Sequence, residues 1–293
     1  METITAVNES QELEAAGFRW LERGSVRALA CRALESEGFA NAFSTRAGGV
    51  SAFPRDALNL AGFNEDAAEN IYENRRRFLS LLDGRWSLAA CWQVHGSDVR
   101  VVRGEEETKA GGVGEQERCD ALTTDAAGVL VGVKTADCVP VIIGDPGSGA
   151  CAAVHAGWRG TLAEIVVRAL ETLRREYGTR AGDVRACIGP AARGCCYEVG
   201  PEVVSAFREK FSRAADWFTP TRDGHALADL QRANREQLNA AGVPAERVHT
   251  LPLCTMCRTD LFFSYRRDKK LHGRTGRLLS VIGRQNEIVN RES

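Results

Sequence analysis

Three side chains able to bind a metal ion fall at the ends of strand-like runs. His95 closes Gln93-Val94-His95-Gly96, Cys138 closes Thr135-Ala136-Asp137-Cys138, and His155 sits in Val154-His155-Ala156-Gly157. A strand that ends beside glycine presents its last side chain at a sheet edge, where a partner can approach closely. If the three strands are neighbours, one thiolate and two imidazoles converge, a set that suits zinc with a water in the fourth position. Such an ion keeps one net positive charge and lowers the pKa of its water toward about 7. Plainer readings exist for each residue alone: a hydrogen-bonded, partly buried histidine, or a cysteine packing as a small hydrophobe.

Two further segments carry cations beside backbone amides. His155-Ala156-Gly157-Trp158-Arg159-Gly160 runs into a helix, so Arg159 and the free amides of a helix start lie next to His155, where an anion is favoured. Arg46-Ala47-Gly48-Gly49 offers a guanidinium and turn amides to phosphate; an ordinary turn and a surface salt bridge are the bland alternatives. Cys254-Thr255-Met256-Cys257 is a C-x-x-C without a second such pair, which leaves a zinc ribbon or a dithiol exchanger as the minor reading. The P-x-C-x-x-C around Pro252 lacks the H-x-E of zinc nucleobase deaminases, so that fold is disfavoured. Tyr265-Arg266-Arg267 and Thr275-Gly276-Arg277 add basic groups that suit either solvent or a phosphate.

The elements that must position these residues follow from hydrophobic periodicity. Residues 1–38 read as a peripheral hairpin, 39–45 as a strand, and 64–82 as an amphipathic helix with Asn64 as N-cap. Strands are expected at 88–94 and 98–102, joined by a tight turn at Gly96-Ser97, and a solvated loop at 104–117. Three apolar runs, 128–135, 139–144 and 150–156, read as strands buried on both faces. Leu162, Ile165, Val166, Ala169, Leu170 and Leu173 mark a helix over 161–176, opened by a Thr161-to-Glu164 capping box. A strand at 184–189, helices at 201–211 and 226–240, and strands near 247–251, 261–265 and 278–282 complete the chain. Strands and helices mix without regular alternation, which predicts an α+β architecture with mixed β-sheets flanked by helices.

Composition restricts the function classes. The chain has 293 residues, 44% hydrophobic and 26% charged, the balance of a globular protein able to bury roughly 75% of its unfolded surface. Thirty-eight Lys plus Arg against 39 Asp plus Glu leave a net charge of -1, so no global field recruits nucleic acid or acidic lipid. No run approaches the roughly 20 apolar residues of a membrane span, and the acidic start lacks a secretory h-region. A cytoplasmic monomer is expected, its ten cysteines mostly free thiols.

Taken together, the segments resemble the YfiH family, also called laccase-domain or polyphenol-oxidase-like proteins. The matching stretches are Phe43-Ser44-Thr45-Arg46-Ala47-Gly48-Gly49, Leu58-Asn59-Leu60, Gln93-Val94-His95-Gly96, Thr135-Ala136-Asp137-Cys138, His155-Ala156-Gly157-Trp158-Arg159-Gly160, Cys196-Tyr197-Glu198-Val199 and Phe263-Ser264-Tyr265-Arg266-Arg267. Cys91-Trp92 before Gln93, and Leu278 after Arg277, depart from the usual pattern. The resemblance implies a single catalytic domain over 39–293, related in fold to cysteine hydrolases, with 1–38 as an extension. It implies that His95, Cys138 and His155 hold a zinc ion, replaceable by Cu2+. It also implies purine nucleoside chemistry with a small-molecule nucleoside and phosphate as partners: phosphorolysis of adenosine, inosine, guanosine and S-methyl-5'-thioadenosine, and deamination of adenosine. In that chemistry Asp137 or a histidine is expected to move protons, Arg46 and Arg159 to anchor phosphate or substrate, and Asn59 to hydrogen-bond substrate. Two other family readings are an amidase editing a mischarged peptidoglycan precursor, with Cys138 as nucleophile and His155 as base, and a copper-dependent polyphenol oxidoreductase. Five histidines and no His-x-His pair argue against a multicopper centre.

Overall fold

The computed structural model describes residues 2–62, 65–108 and 117–285. Most of the expected loop at 104–117, and Asn64 as a helix cap, lie outside the described residues. The runs Val129–Thr135, Val139–Gly144 and Cys151–Ala156 are buried at every position except Lys134. Strands this apolar need cover on both faces, and the fold supplies it by layering.

In chain order the strands are β1 (Phe18–Arg23), β2 (Val26–Cys31), β3 (Phe39–Ser44), β4 (Ala47–Ser51), β5 (Ser87–Ala90), β6 (Val99–Val101), β7 (Ala121–Thr124) and β8 (Val129–Thr135). They continue as β9 (Val139–Gly144), β10 (Cys151–Ala156), β11 (Arg185–Ile188), β12 (Glu198–Val199), β13 (Phe218–Pro220), β14 (Ala226–Ala228), β15 (Val248–Thr250) and β16 (Leu278–Arg284). The helices are α1 (Glu2–Ala15), α2 (Arg32–Glu35), α3 (Ala68–Leu79), α4 (Trp158–Leu162), α5 (Ile165–Tyr177), α6 (Pro201–Lys210), α7 (Leu230–Ala240) and α8 (Tyr265–His272).

One six-stranded sheet has the order β1-β2-β3-β16-β8-β5, a second β15-β11-β9-β10-β7-β6, and a small sheet β12-β14-β13. Antiparallel pairs dominate, with parallel pairing at β5/β8, β6/β7 and β11/β15, so the α+β fold with mixed sheets is observed. Period-two alternation sorts the side chains into layers. Phe39, Phe43, Val131, Val133, Ile142 and Ala153 fill the space between the large sheets. Val141, Ile143, Ala152 and Val154 turn the other way and pack with Val166, Leu170, Leu173 and Leu238 of α5 and α7. Phe78 of α3 covers Leu130, Leu279 and Val281 on the remaining face.

Several expectations are corrected. The hairpin in the first 38 residues is β1–β2, but α1 precedes it, and β2 pairs with β3 through Ala28↔Ser44 and Leu29↔Phe43, so the sheet crosses residue 38 unbroken. Strands β5 and β6 belong to different sheets, and Gly96-Ser97 is a crossing between sheets instead of a hairpin turn. The helix expected at 161–176 breaks at Glu164, whose φ is 58°. Its capping box does not form: Thr161 lies inside α4, Glu164 N donates to the Thr161 carbonyl at 3.0 Å, and the Thr161 hydroxyl accepts from Asn234 Nδ2 of α7 at 3.0 Å. The side chain meant for the cap is thus engaged by a tertiary partner. Residues 226–228 form a strand before Asp229 caps α7 by accepting from Arg232 N at 2.9 Å. The strand expected at 261–265 is instead a buried turn leading into α8, where Ser264 Oγ accepts from Arg267 N.

Candidate metal centre

His95, Cys138 and His155 meet where the two large sheets face each other. His95 lies on the connection from β5 to β6 and Cys138 on the connection from β8 to β9, both of which pass from the first sheet to the second. His155 is on β10 opposite Pro140 of β9, and its parity with Cys151 and Ala153 turns it toward the space between sheets. Cys138 Sγ is 3.8 Å from His95 Nε2, the imidazole rings stand edge to face at 4.8 Å, and all three donor atoms lie within 4.8 Å of one another. Tetrahedral zinc, with bonds of about 2.0 Å to nitrogen and about 2.3 Å to sulfur, separates such donors by about 3.6 Å. The residues therefore fit a metal bound by two imidazoles and a thiolate, with a fourth position open.

Asp120, which the sequence reading did not single out, organises this cluster. Its fully buried carboxylate accepts from His155 Nδ1 at 2.8 Å, and from the amides of His95 at 2.9 Å, Gly96 at 2.7 Å and Val94 at 3.2 Å. One side chain thus fixes the His155 ring with Nε2 toward the site and folds the loop that carries His95. That loop needs fixing, because His95 has φ 59°, a left-handed conformation that costs about 1–3 kcal/mol in a non-glycine residue. Burial favours the neutral acid at Asp120, yet His155 and the loop amides hold it below the ordinary carboxylate range.

Space at the centre is limited as well. A methyl group on Gly157 would lie 3.1 Å from His95 Cδ2 and 3.2 Å from Cys138 Sγ, so the glycine after β10 admits the two ligands. Burial pushes the Cys138 thiol up, but His155 and His95 overcome it and bring its pKa down to about 6. Burial lowers the His155 pKa, while the Cys138 thiolate and Asp120 more than restore it, up to about 9.

The cluster opens into a cavity of about 1040 Å³ lined by Trp92, Trp158, Tyr197 and Tyr265 and by Lys134, Arg159, Arg266, Lys269, Lys270 and Arg277. Arg159 stacks on Trp158 at 4.3 Å and Arg266 on Tyr197 at 4.6 Å. Aromatic rings and cations line the same cavity, a surface for a planar ring bearing or accompanied by an anion. The late basic residues Arg266 and Arg277 thus enter the cavity, Arg277 paired with Glu65 at 2.9 Å.

The remaining residues expected at the site divide sharply. Arg159 lines the cavity, but the helix it opens is only Trp158–Leu162. Asp137 also lines it; its carboxylate accepts from Thr255 Oγ1 at 2.7 Å, Arg266 N at 2.8 Å and Ser264 Oγ at 3.0 Å. Those bonds tie the Cys138 loop, itself at φ 88° on Asp137, to the segment entering α8. Burial outweighs them and keeps the Asp137 pKa raised. Arg46 is absent from the cavity wall: it donates to the carbonyls of Thr259 at 2.6 Å and Phe262 at 3.4 Å and lies 5.0 Å over the Phe263 ring. Asn59 is also elsewhere, buried, with Oδ1 accepting from Arg277 N at 2.8 Å and Ala61 N at 3.3 Å. Both positions join segments of the fold outside the cavity lining.

Comparison with known proteins agrees with this architecture. The family described as multi-copper polyphenol oxidoreductase laccase matches residues 40–285. "Purine nucleoside phosphorylase YlmD" of Geobacillus stearothermophilus is 36% identical over 280 residues, 92% of this chain and 98% of that protein. "Purine nucleoside phosphorylase YfiH" of Escherichia coli is 35% identical over 250 residues, 85% of this chain and 95% of that protein. The crystal structure of YlmD from Geobacillus stearothermophilus superposes with a TM-score of 0.82 at 34% identity, over 91% of this chain and 99% of that one. That of the Bacillus licheniformis hypothetical protein YfiH does so with a TM-score of 0.81 at 29% identity, over 92% of this chain and 99% of that one. With sequence and fold in agreement over nearly its whole length, the chain belongs to the YfiH/YlmD family of laccase-like domain proteins.

Proposed function

We propose that the protein is a zinc-dependent purine nucleoside phosphorylase that also deaminates adenosine. The observation that carries this reading is the juxtaposition of a three-donor centre with a cavity whose wall combines aromatic faces and cations. The names of its relatives in Geobacillus stearothermophilus and Escherichia coli support it. Trp158 and Tyr197 offer faces to the purine, and Arg159, Arg266 and Lys269 offer charge to phosphate. In phosphorolysis a phosphate oxygen bonds to the ribose C1′ as the bond from C1′ to the purine nitrogen breaks, so cations that hold phosphate beside a stacked base convert a two-molecule collision into a positioned one. When bound, zinc supplies Lewis acidity and a water of lowered pKa. Asp120 holds His155 in the tautomer that donates from Nδ1, and Asp137 keeps the Cys138 loop against the wall that carries Arg266.

Metal-quantified protein incubated with adenosine, with and without phosphate, and resolved by chromatography tests the reading. Free adenine formed only with phosphate, and inosine formed without it, are expected; neither product appearing refutes it. A second reading rests on a different observation. Cys138, His155 and Asp120 also stand in the order thiol, imidazole, carboxylate, the series of a cysteine hydrolase. Full amide hydrolysis in the presence of chelator selects that alternative. A single Cu2+ in the same donors is favoured by affinity, but five histidines in the whole chain cannot build a multicopper oxidase.

A further inference from the structure

A second group of side chains able to hold a metal ion lies outside the centre described above. The sulfur atoms of Cys195, Cys196, Cys254 and Cys257 all fall within 4.8 Å of one another. Cys257 Sγ is 3.2 Å from Cys196 Sγ and 3.7 Å from Cys195 Sγ. Four thiolates around a tetrahedral zinc with bonds of about 2.3 Å are separated by about 3.8 Å. The adjacent Cys195-Cys196 pair therefore supplies the half-site that the solitary C-x-x-C lacks.

Backbone geometry brings the two halves together independently of the thiols. Thr255 N donates to the Ala191 carbonyl at 3.0 Å and Arg193 Nη1 to the Pro252 carbonyl at 2.7 Å, joining the loop after β11 to the loop before α8. Cys254 O accepts from Cys257 N at 3.2 Å and Arg258 N at 2.9 Å, a turn that leaves both C-x-x-C thiols on one side. One disulfide would use two of these sulfurs and leave two crowded against it; one tetrahedral ion uses all four.

We propose that Cys195, Cys196, Cys254 and Cys257 bind a second zinc ion, in a closed, structural site that staples the cavity wall. Its four donors leave no open position, which separates it in role from the three-donor centre. Tyr197 follows one ligand and lines the cavity, and Thr255 follows another and donates to Asp137. The ion thus fixes two neighbours of the reactive centre without touching it.

Elemental analysis and native mass spectrometry of zinc-replete protein test the assignment. The wild type is expected to hold about two zinc ions per chain, Cys257→Ser about one, Cys138→Ala about one, and the double variant about none. Loss from Cys138→Ala alone would concern only the centre behind the proposed function, so the two failures are distinguishable. Cobalt-loaded Cys138→Ala is expected to show intense sulfur-to-cobalt absorption. Adding Cys195→His, at an exposed position, is expected to keep the ion and move the visible bands to shorter wavelength, a readout that a merely unfolded variant cannot give. Equal zinc in wild type and Cys257→Ser, iron in place of zinc, or a disulfide among these residues in freshly isolated protein would overturn the proposal.

Discussion

Replacing Asp120 by asparagine removes charge and one acceptor atom while keeping shape. In the native protein Oδ1 receives His155 Nδ1 at 2.8 Å and His95 N at 2.9 Å, and Oδ2 receives Gly96 N at 2.7 Å and Val94 N at 3.2 Å. The substituted side chain has a single oxygen, so whichever way its amide turns, an NH2 group faces two buried donors. If it faces His155, the imidazole must move its proton to Nε2, the atom needed by the metal; if it faces Gly96, the loop carrying His95 loses its anchor. A lost charge-assisted hydrogen bond amounts to about 1.5–3 kcal/mol, and at about 1.4 kcal/mol per decade zinc affinity should fall by about 10- to 100-fold, the range found for partners of ligating histidines. Competition with a chromophoric chelator at fixed pH reads the dissociation constant directly, and thermal denaturation of the metal-free protein reports how much of the change is folding. An Asp120→Asn protein that binds zinc within about twofold of wild type would show that the carboxylate does not orient His155, and the account of the centre would fail.

Three other outcomes are expected. Gly157→Ala should weaken zinc binding while leaving the circular dichroism spectrum unchanged, because the added methyl group meets both His95 and Cys138; unchanged metal content would show that the loop yields freely. Zinc affinity should rise with pH by about tenfold per unit between the Cys138 value of about 6 and the His155 value of about 9, since in that window the metal-free pair is a thiolate and an imidazolium and binding releases the His155 proton; below that window the slope should steepen as Cys138 also takes a proton, and isothermal titration in buffers of different ionisation enthalpy counts the protons. Asn59→Ala should lower stability by about 1–3 kcal/mol in urea denaturation by stranding the amides of Arg277 and Ala61, with KM for nucleoside unchanged, whereas a raised KM at unchanged stability would return Asn59 to the substrate.

What was legible in the sequence follows from the range over which each signal acts. Apolar runs at 128–156 identify buried strands because burial on both faces is written into consecutive residues, and glycine beside His95, on the loop after β5, and after His155, near the end of β10, marks the segments where the donor side chains converge. Asp120 carries no such mark: its neighbours are ordinary, and its importance arises only when β7 brings it under His155 and the His95 loop. The Thr161-to-Glu164 pattern misleads for the converse reason, since Thr161 lies within α4 and its hydroxyl is taken by Asn234 from a helix about 70 residues away in the chain. Arg46 and Asn59 stand in motifs, and the hydrogen bonds that tie them to the backbone of distant segments are invisible to motif identity, which does not separate a residue that binds a ligand from one that joins loops. Likewise the solitary C-x-x-C becomes half of a four-sulfur group only through a loop crossing that no local spacing encodes.

The division of labour between strands and loops has a consequence for how this scaffold can diversify. Its three donor side chains are placed by the paired sheets and Asp120, whereas much of the cavity wall comes from α4, α8 and the segments around them. Under the proposed function, substitutions at Trp158, Tyr197, Lys269 or Lys270 would alter which molecule fits while leaving the donor cluster in place, so related chains are expected to differ along the cavity wall before they differ at its floor.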